Sequence, residues 1–276
     1  MSRTTRKREP IADDPDFPAD AFAGTAPYYA KYRVPYPKEL FYDLRRRANI
    51  SAAGWMLDLA CGTGEIALPM APFFREVWAV DQEPEMIAVG RSKAIAADVG
   101  DISWRTGRAE DLDLPPASFE LVTIGNAFHR VDRALVANRA WQWLIPRRCF
   151  ALLFSTTVWS GKEEWQLRAV EVIGRWTKPS RRADEINSRA PSHEQILSSA
   201  GFEKIEEHRF EVPYVWTIES FVGFLYSTSA ASKALLGDAV ADFEADLRLV
   251  LLDYDSAGRY SETIQFAYIL ARRPAE

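Results

Sequence analysis

The chain has 276 residues, enough to bury a substantial core in one large domain. Its formal net charge of -5 argues against a nucleic-acid backbone as the main partner and suits a neutral or cationic small ligand. Two cysteines, no C-x-x-C and three scattered histidines give neither a disulfide scaffold nor a zinc-ligand spacing, so no metal and a reducing, cytoplasmic setting are expected.

Residues 1–20 mix charges with prolines and are expected to form a flexible tail. Arg3, Arg6, Lys7 and Arg8 lack the apolar core of a signal peptide, and no stretch of the chain approaches a membrane span. Residues 21–276 read as a single domain. The stretch 21–40 is dense in tyrosine, and a helix is expected from Pro37 to about Ala48. Short apolar strands then follow at 54–60, 76–81, 102–107, 119–127 and 149–156. Between them lie helices at 84–97 and 133–144, and a helix broken near Pro69 and Pro72. This alternation predicts a parallel sheet with helices on both faces. Beyond 156 the pattern changes. Helices are expected at 163–176 and at 192–202, the latter with Ser192 as N-cap and Gly201 as its stop. A strand at 204–217, a mostly helical stretch over 218–255 and a final strand at 262–273 complete the chain.

The turn "LDLACGTGEIAL" at 57–68 carries the chemistry. Ligands of open α/β sheets bind at the carboxyl ends of the strands, near the first strand–helix turn. Gly62 and Gly64 let a backbone approach a ligand closely, and Gly62 to Ala67 fits the G-x-G-x-x-G/A pattern of dinucleotide sites. The carboxylates of Asp58 and Glu65 would repel a pyrophosphate, so a nucleoside ligand that carries a cation there fits better. Asp81 ends the second strand, at the spacing where a carboxylate accepts hydrogen bonds from both ribose hydroxyls. The structural alternative for Asp81 is a helix N-cap.

With "VWAVDQEPEM", "GRAEDLDLPPASFELVTIGNAFHRVD" and "SSAGFEKIE" in that order, the chain from about 25 to 276 resembles the class I S-adenosylmethionine-dependent methyltransferases. The resemblance implies a Rossmann-like, doubly wound seven-stranded sheet, mostly parallel with its last strand antiparallel, plus a helical lid. It implies S-adenosylmethionine as cofactor. The backbone at Ala60–Gly62 and the Asp58 side chain would lie near its amino group, directly or through water. Asp81 would hold the ribose, with Gln82 and Met86 beside the adenine, and Ala109 and Glu110 at the adenine edge. Asn126 would border the methionine part.

"YYAKYRVPYP" resembles an element of a family subset that folds over the cofactor, here within 21–50. Tyr29 and Arg33 share one face if it is helical, and Arg33 is placed to pair with the cofactor's carboxylate. His129, just past the fourth strand, is the candidate catalytic base, with an ordinary imidazole value of about 6.5. The alternative is that it packs over the cofactor or caps the next helix. His193 and His208 read as peripheral. Residues 157–255 include an acceptor-side helical lid, whose aromatics are expected to be mostly core. The segment after the fourth strand lacks the Asn/Asp-Pro-Pro-Tyr/Phe signature of enzymes acting on planar amino groups, and no acidic pair for magnesium follows it. The expected activity is methyl transfer to oxygen or nitrogen of a small-molecule acceptor, a metabolite or natural product. The expected protein is a monomer or homodimer with no nucleic-acid or membrane partner. Two alternatives remain at this point: an NAD(P)-dependent oxidoreductase, and an S-adenosylmethionine-binding protein that acts as a cyclase or regulator.

Overall fold

Seven strands form one hydrogen-bonded sheet in the computed structural model, which describes residues 22–156, 158–177 and 191–275. The tail expected at 1–20 lies outside the described residues. Two helices lead in, α1 (Ala26–Tyr32) and α2 (Lys38–Ala48). Then come β1 (Trp55–Leu59), the short α3 (Ala67–Met70), β2 (Glu76–Asp81), α4 (Pro84–Ala96), β3 (Ile102–Thr106), β4 (Phe119–Gly125), α5 (Arg133–Trp143) and β5 (Leu144–Ser155). The rest is α6 (Glu164–Trp176), α7 (His193–Ser199), β6 (Glu203–Thr217), α8 (Ile218–Tyr226), α9 (Lys233–Leu236), α10 (Val240–Tyr254) and β7 (Arg259–Arg272).

The strand order is β3-β2-β1-β4-β5-β7-β6. β1 to β5 run parallel, and β7 runs antiparallel to both β5 and β6. This is the doubly wound sheet with an antiparallel last strand that the sequence resemblance implies. Side chains alternate across the sheet. Met56, Val77, Leu121 and Cys149 enter one core, which α2, α6, α8 and α10 complete. Leu57, Val80, Val122 and Phe150 enter the other, under α5 and α7. β1 and β4 are buried on both faces, so that their polar residues Asp58 and Thr123 lie inside with the apolar ones. β5 starts earlier than expected, at Leu144, because Leu144 pairs with Phe119 across a register irregularity. β7 starts at Arg259, paired with Thr217.

The C-terminal helices are positioned by specific packing. Ser192 caps α7 by accepting from Gln195 N, and Gly201, at φ 91°, turns the chain out of it. α1 lies on α8 so closely that a Cβ at Gly223 would come within 2.3 Å of the Tyr32 ring. Lys31 and Tyr32 on α1 also donate to Glu219 on α8.

Candidate active site

The first turn is built around Asp81. Its carboxylate accepts from Gly62 N at 2.8 Å and from Glu83 N at 2.9 Å, and so ties the β1 turn to the end of β2. Glu83, not Asp81, occupies the N-cap position of α4. Ala60 and Gly62 both have left-handed backbones, at φ 48° and 56°. A Cβ on Gly62 would stand 3.2 Å from Glu65 Oε2 and 3.4 Å from the Tyr29 ring, so glycine keeps the turn open there. Gly64 serves another purpose: a Cβ on it would meet the Trp104 ring at 2.7 Å, so it makes room for packing.

Asp58 does not reach the cleft that this turn borders. Its side chain is 0% exposed. It accepts from Thr123 Oγ1 at 2.7 Å and from Ala67 N at 3.1 Å, which pins the start of α3 to the sheet. Burial pushes its carboxyl up to about 7, against weaker relief from those hydrogen bonds. Glu65 is paired with Lys93 at 2.9 Å. The repulsion expected of Asp58 and Glu65 toward a phosphate is therefore weak, because one is buried below the turn and the other is neutralised. Asp81 is the acidic group of the turn region that borders the cleft, with its carboxyl also raised by burial.

That cleft has a volume of about 1040 Å³. At one end it is lined by Asp81, Gln82 and Met86, with Ala109 and Glu110 beside them. Glu110 is held by Asp132 N, which donates to it at 3.0 Å. The cleft runs past Ala60 and Gly62 to Asn126, which also has a left-handed backbone, at φ 51°. Asn126 Nδ2 donates to Tyr36 Oη at 3.0 Å, and its Oδ1 accepts from Ser155 N at 3.1 Å. Its side chain thus bridges β5 and the N-terminal element.

Tyr29 and Arg33 form the wall above Gly62. Arg33 follows the end of α1 in an extended conformation instead of continuing its helical face, and its guanidinium lies 4.5 Å over the Tyr29 ring and 5.2 Å from the Phe224 ring. Its Nη2 donates to Ser227 O at 3.0 Å, whereas its buried Nε has no partner among the described residues. That leaves a charged donor in a cleft wall without an acceptor. Burial pushes the Tyr29 phenol up to about 12, so it stays neutral.

His129 lines the far side, with its surface open to the cleft. The enclosing walls, then Arg130, His193 and Arg133, lower its imidazole to about 4. It is neutral at pH 7, and a weaker base than an ordinary imidazole. His193, read as peripheral, lines the same cleft. It packs edge-on to Phe128 at 5.3 Å, and its buried Nδ1 has no partner among the described residues. Its place at the start of α7 had explained it locally, and only the tertiary fold brings it beside His129. His208 is peripheral, packed on Tyr268. The lid contributes Trp159, Ile173, Phe224 and Leu235 to the cleft. Trp165 and Phe221 are buried core, as most lid aromatics were expected to be.

The buried unpaired Arg33 Nε, the hydrogen-bonded Asp81 carboxylate and the open turn at Gly62 fit a nucleoside with an anionic group at its other end. Among the described residues no group of three or more His, Cys, Asp or Glu side chains is placed to hold a metal ion.

Residues 56–147 match a family model described as a methyltransferase domain. The chain is 33% identical over 175 residues to the ubiquinone/menaquinone biosynthesis C-methyltransferase UbiE of Rubrivivax gelatinosus, covering 59% of this chain and 68% of that protein. It is 34% identical over 121 residues to the protein of the same name from Zymomonas mobilis, covering 43% of this chain and 50% of that one. The match thus spans about half the length of the Zymomonas relative. The crystal structure of YcgJ from Bacillus subtilis has the same fold, with a TM-score of 0.54 at 18% identity, over 86% of this chain and 99% of that one.

Proposed function

The chain belongs to the class I S-adenosylmethionine-dependent methyltransferases, and from that premise we propose that it methylates an oxygen or nitrogen of a small molecule. The observation that carries the reading is the Asp81 carboxylate. Two backbone N–H groups hold it at the cleft wall, and each oxygen keeps a lone pair for one of two adjacent hydroxyls. In this reading Asp81 binds the ribose, while Gln82, Met86, Ala109 and Glu110 surround the adenine. Ala60 and Gly62 lie against the methionine part, bordered by Asn126. Asp58 acts from below, by fixing the turn. Arg33 takes the carboxylate through its unpaired Nε, with Tyr29 holding the guanidinium flat. The NAD(P) alternative gives way to the family assignment.

When bound, the cofactor supplies an electrophilic methyl group on a sulfonium. The chain's task is to hold the acceptor in line with it and keep water out, and orientation of this kind lowers barriers by several kcal/mol. Residues 22–50 cover the cofactor, and the helices within 158–255 cover the acceptor. The lid wall of Trp159, Ile173, Phe224 and Leu235 supports an acceptor of small-molecule size. His129 presents a neutral imidazole to it. With a value of about 4, that imidazole hydrogen-bonds and positions an acceptor better than it carries away a proton.

The names of the UbiE relatives favour a second reading, methylation at carbon. Turnover with methyl-¹³C-labelled cofactor over a panel of small amines, alcohols and activated carbon acids separates the two. A product whose labelled methyl resonates as N–CH3 or O–CH3 supports the first reading, and a C–CH3 product establishes the second.

A further inference from the structure

Tyr29, Arg33 and Asn126 also bound a second, smaller chamber behind the cleft, of about 30 Å³. It lies at the carboxyl ends of β5 and β6, beside the first half of β7. Six aromatic side chains line it, among them Tyr36, Trp216, Phe221 and Phe266. One carboxylate in that wall is anomalous. Glu262 Oε1 accepts from Trp216 Nε1 at 3.0 Å, and its Oε2 accepts from Gln166 Nε2. Both donors are neutral. Among the described residues no lysine, arginine or histidine pairs with Glu262, and the charge that acts on it is another carboxylate, Glu163. The chamber's other acid, Glu65, is satisfied by Lys93. Its cation, Arg33, is turned to the Ser227 carbonyl and stacked on Tyr29 and Phe224.

A half-buried carboxylate without a counter-ion is costly, and a cation entering the site relieves that cost. Aromatic faces add to the attraction for a cation. Size sets a further limit. A chamber of about 30 Å³ holds about two water-sized groups at roughly 10–15 Å³ each, which admits a primary or singly methylated ammonium head and excludes a trimethylammonium. We propose that this chamber receives the protonated amino head of the acceptor, with Glu262 as its counter-ion and the aromatic rings as its walls. The remainder of the acceptor extends into the cleft past Asn126. This rests on the methyltransferase reading and narrows its acceptor to a molecule that carries an ammonium; held protonated, that nitrogen has no lone pair to take a methyl, so the methylated atom lies in the part that extends into the cleft.

The test uses the full chain, alone and saturated with S-adenosylhomocysteine, with methylammonium chloride as probe at constant ionic strength. Methanol is the neutral probe of the same size. The readout is the Trp216 indole N–H resonance, assigned by its loss in Trp216→Phe. Methylammonium is expected to shift it saturably and about tenfold more tightly than methanol. Glu262→Gln is expected to weaken methylammonium about tenfold while leaving S-adenosylhomocysteine affinity unchanged. Equal response to methanol, or no saturable shift, overturns the proposal in the wild-type chain even if Glu262→Gln fails to fold. Unaltered methylammonium binding in a folded Glu262→Gln overturns it as well. A chain that answers to methylammonium but binds no S-adenosylhomocysteine keeps the chamber and loses the methyltransferase reading.

Discussion

Asp58 and Asp81 are two acids at neighbouring strand ends with different tasks, and substitution separates them. Asp81 borders the cleft, so Asp81→Ala is expected to weaken S-adenosylhomocysteine binding by about 1–3 kcal/mol, through loss of charge-assisted hydrogen bonds. Unchanged affinity by calorimetry would remove Asp81 from the ribose. Asp58 is expected to report through stability. Its carboxyl is raised from 3.8 to about 7 in the fold, so the folded state holds a proton that the unfolded chain has lost. The stability this gives is full below 3.8 and is lost as pH rises through 7. His129 is lowered from 6.5 to about 4, so the folded state resists a proton that the unfolded chain takes up, and stability falls as pH drops from 6.5 toward 4. The two slopes oppose one another over the same window. Melting temperature against pH between 4 and 6.5 should therefore rise more steeply than wild type in Asp58→Asn and less steeply in His129→Gln. Parallel curves for all three proteins would contradict both assignments.

Among the elements, the shape of the cleft depends on the β1 turn and on the docking of α1 against α8. Both are set by glycines with nothing to spare around them. Gly64→Ala drives a Cβ to 2.7 Å from Trp104 at φ 89°, and is expected to destabilise the fold by about 1–3 kcal/mol while leaving cofactor contacts in place. Gly223→Ala drives a Cβ to 2.3 Å from Tyr32, so α1 must lift from α8. Because α1 carries Tyr29 and leads into Arg33, the lift is expected to lower S-adenosylhomocysteine affinity at least about fivefold with the far-UV spectrum unchanged. Binding equal to wild type in Gly223→Ala would mean that α1 does not cover the cofactor. Much at this scale was legible in the chain. β2 was read to the residue, at 76–81, because a buried parallel strand is one apolar run between breakers. The start of β5 was not. Pro146, Arg147 and Arg148 interrupt the apolar run, yet Leu144 already pairs with Phe119.

For the whole molecule, the divide between what the chain reveals and what it hides follows sequence separation. Gly62 and Asp81 were legible because a strand–turn–helix–strand unit fixes their spacing, and they meet at 2.8 Å as that unit requires. The burial of Asp58 was not legible, because its partner Thr123 is set by the β1–β4 register, which no local pattern encodes. His193 reaches the cleft beside His129 only when α7 packs on α5, and the Glu262 chamber exists only when β7 inserts between β5 and β6. The central claim is that the cleft binds the methyl donor and its demethylated product through Asp81, Gly62 and Arg33. Calorimetric titration of the chain with S-adenosylhomocysteine, and separately with NAD, tests it most directly. Micromolar binding of S-adenosylhomocysteine and none of NAD is expected. Binding of NAD without S-adenosylhomocysteine would contradict it.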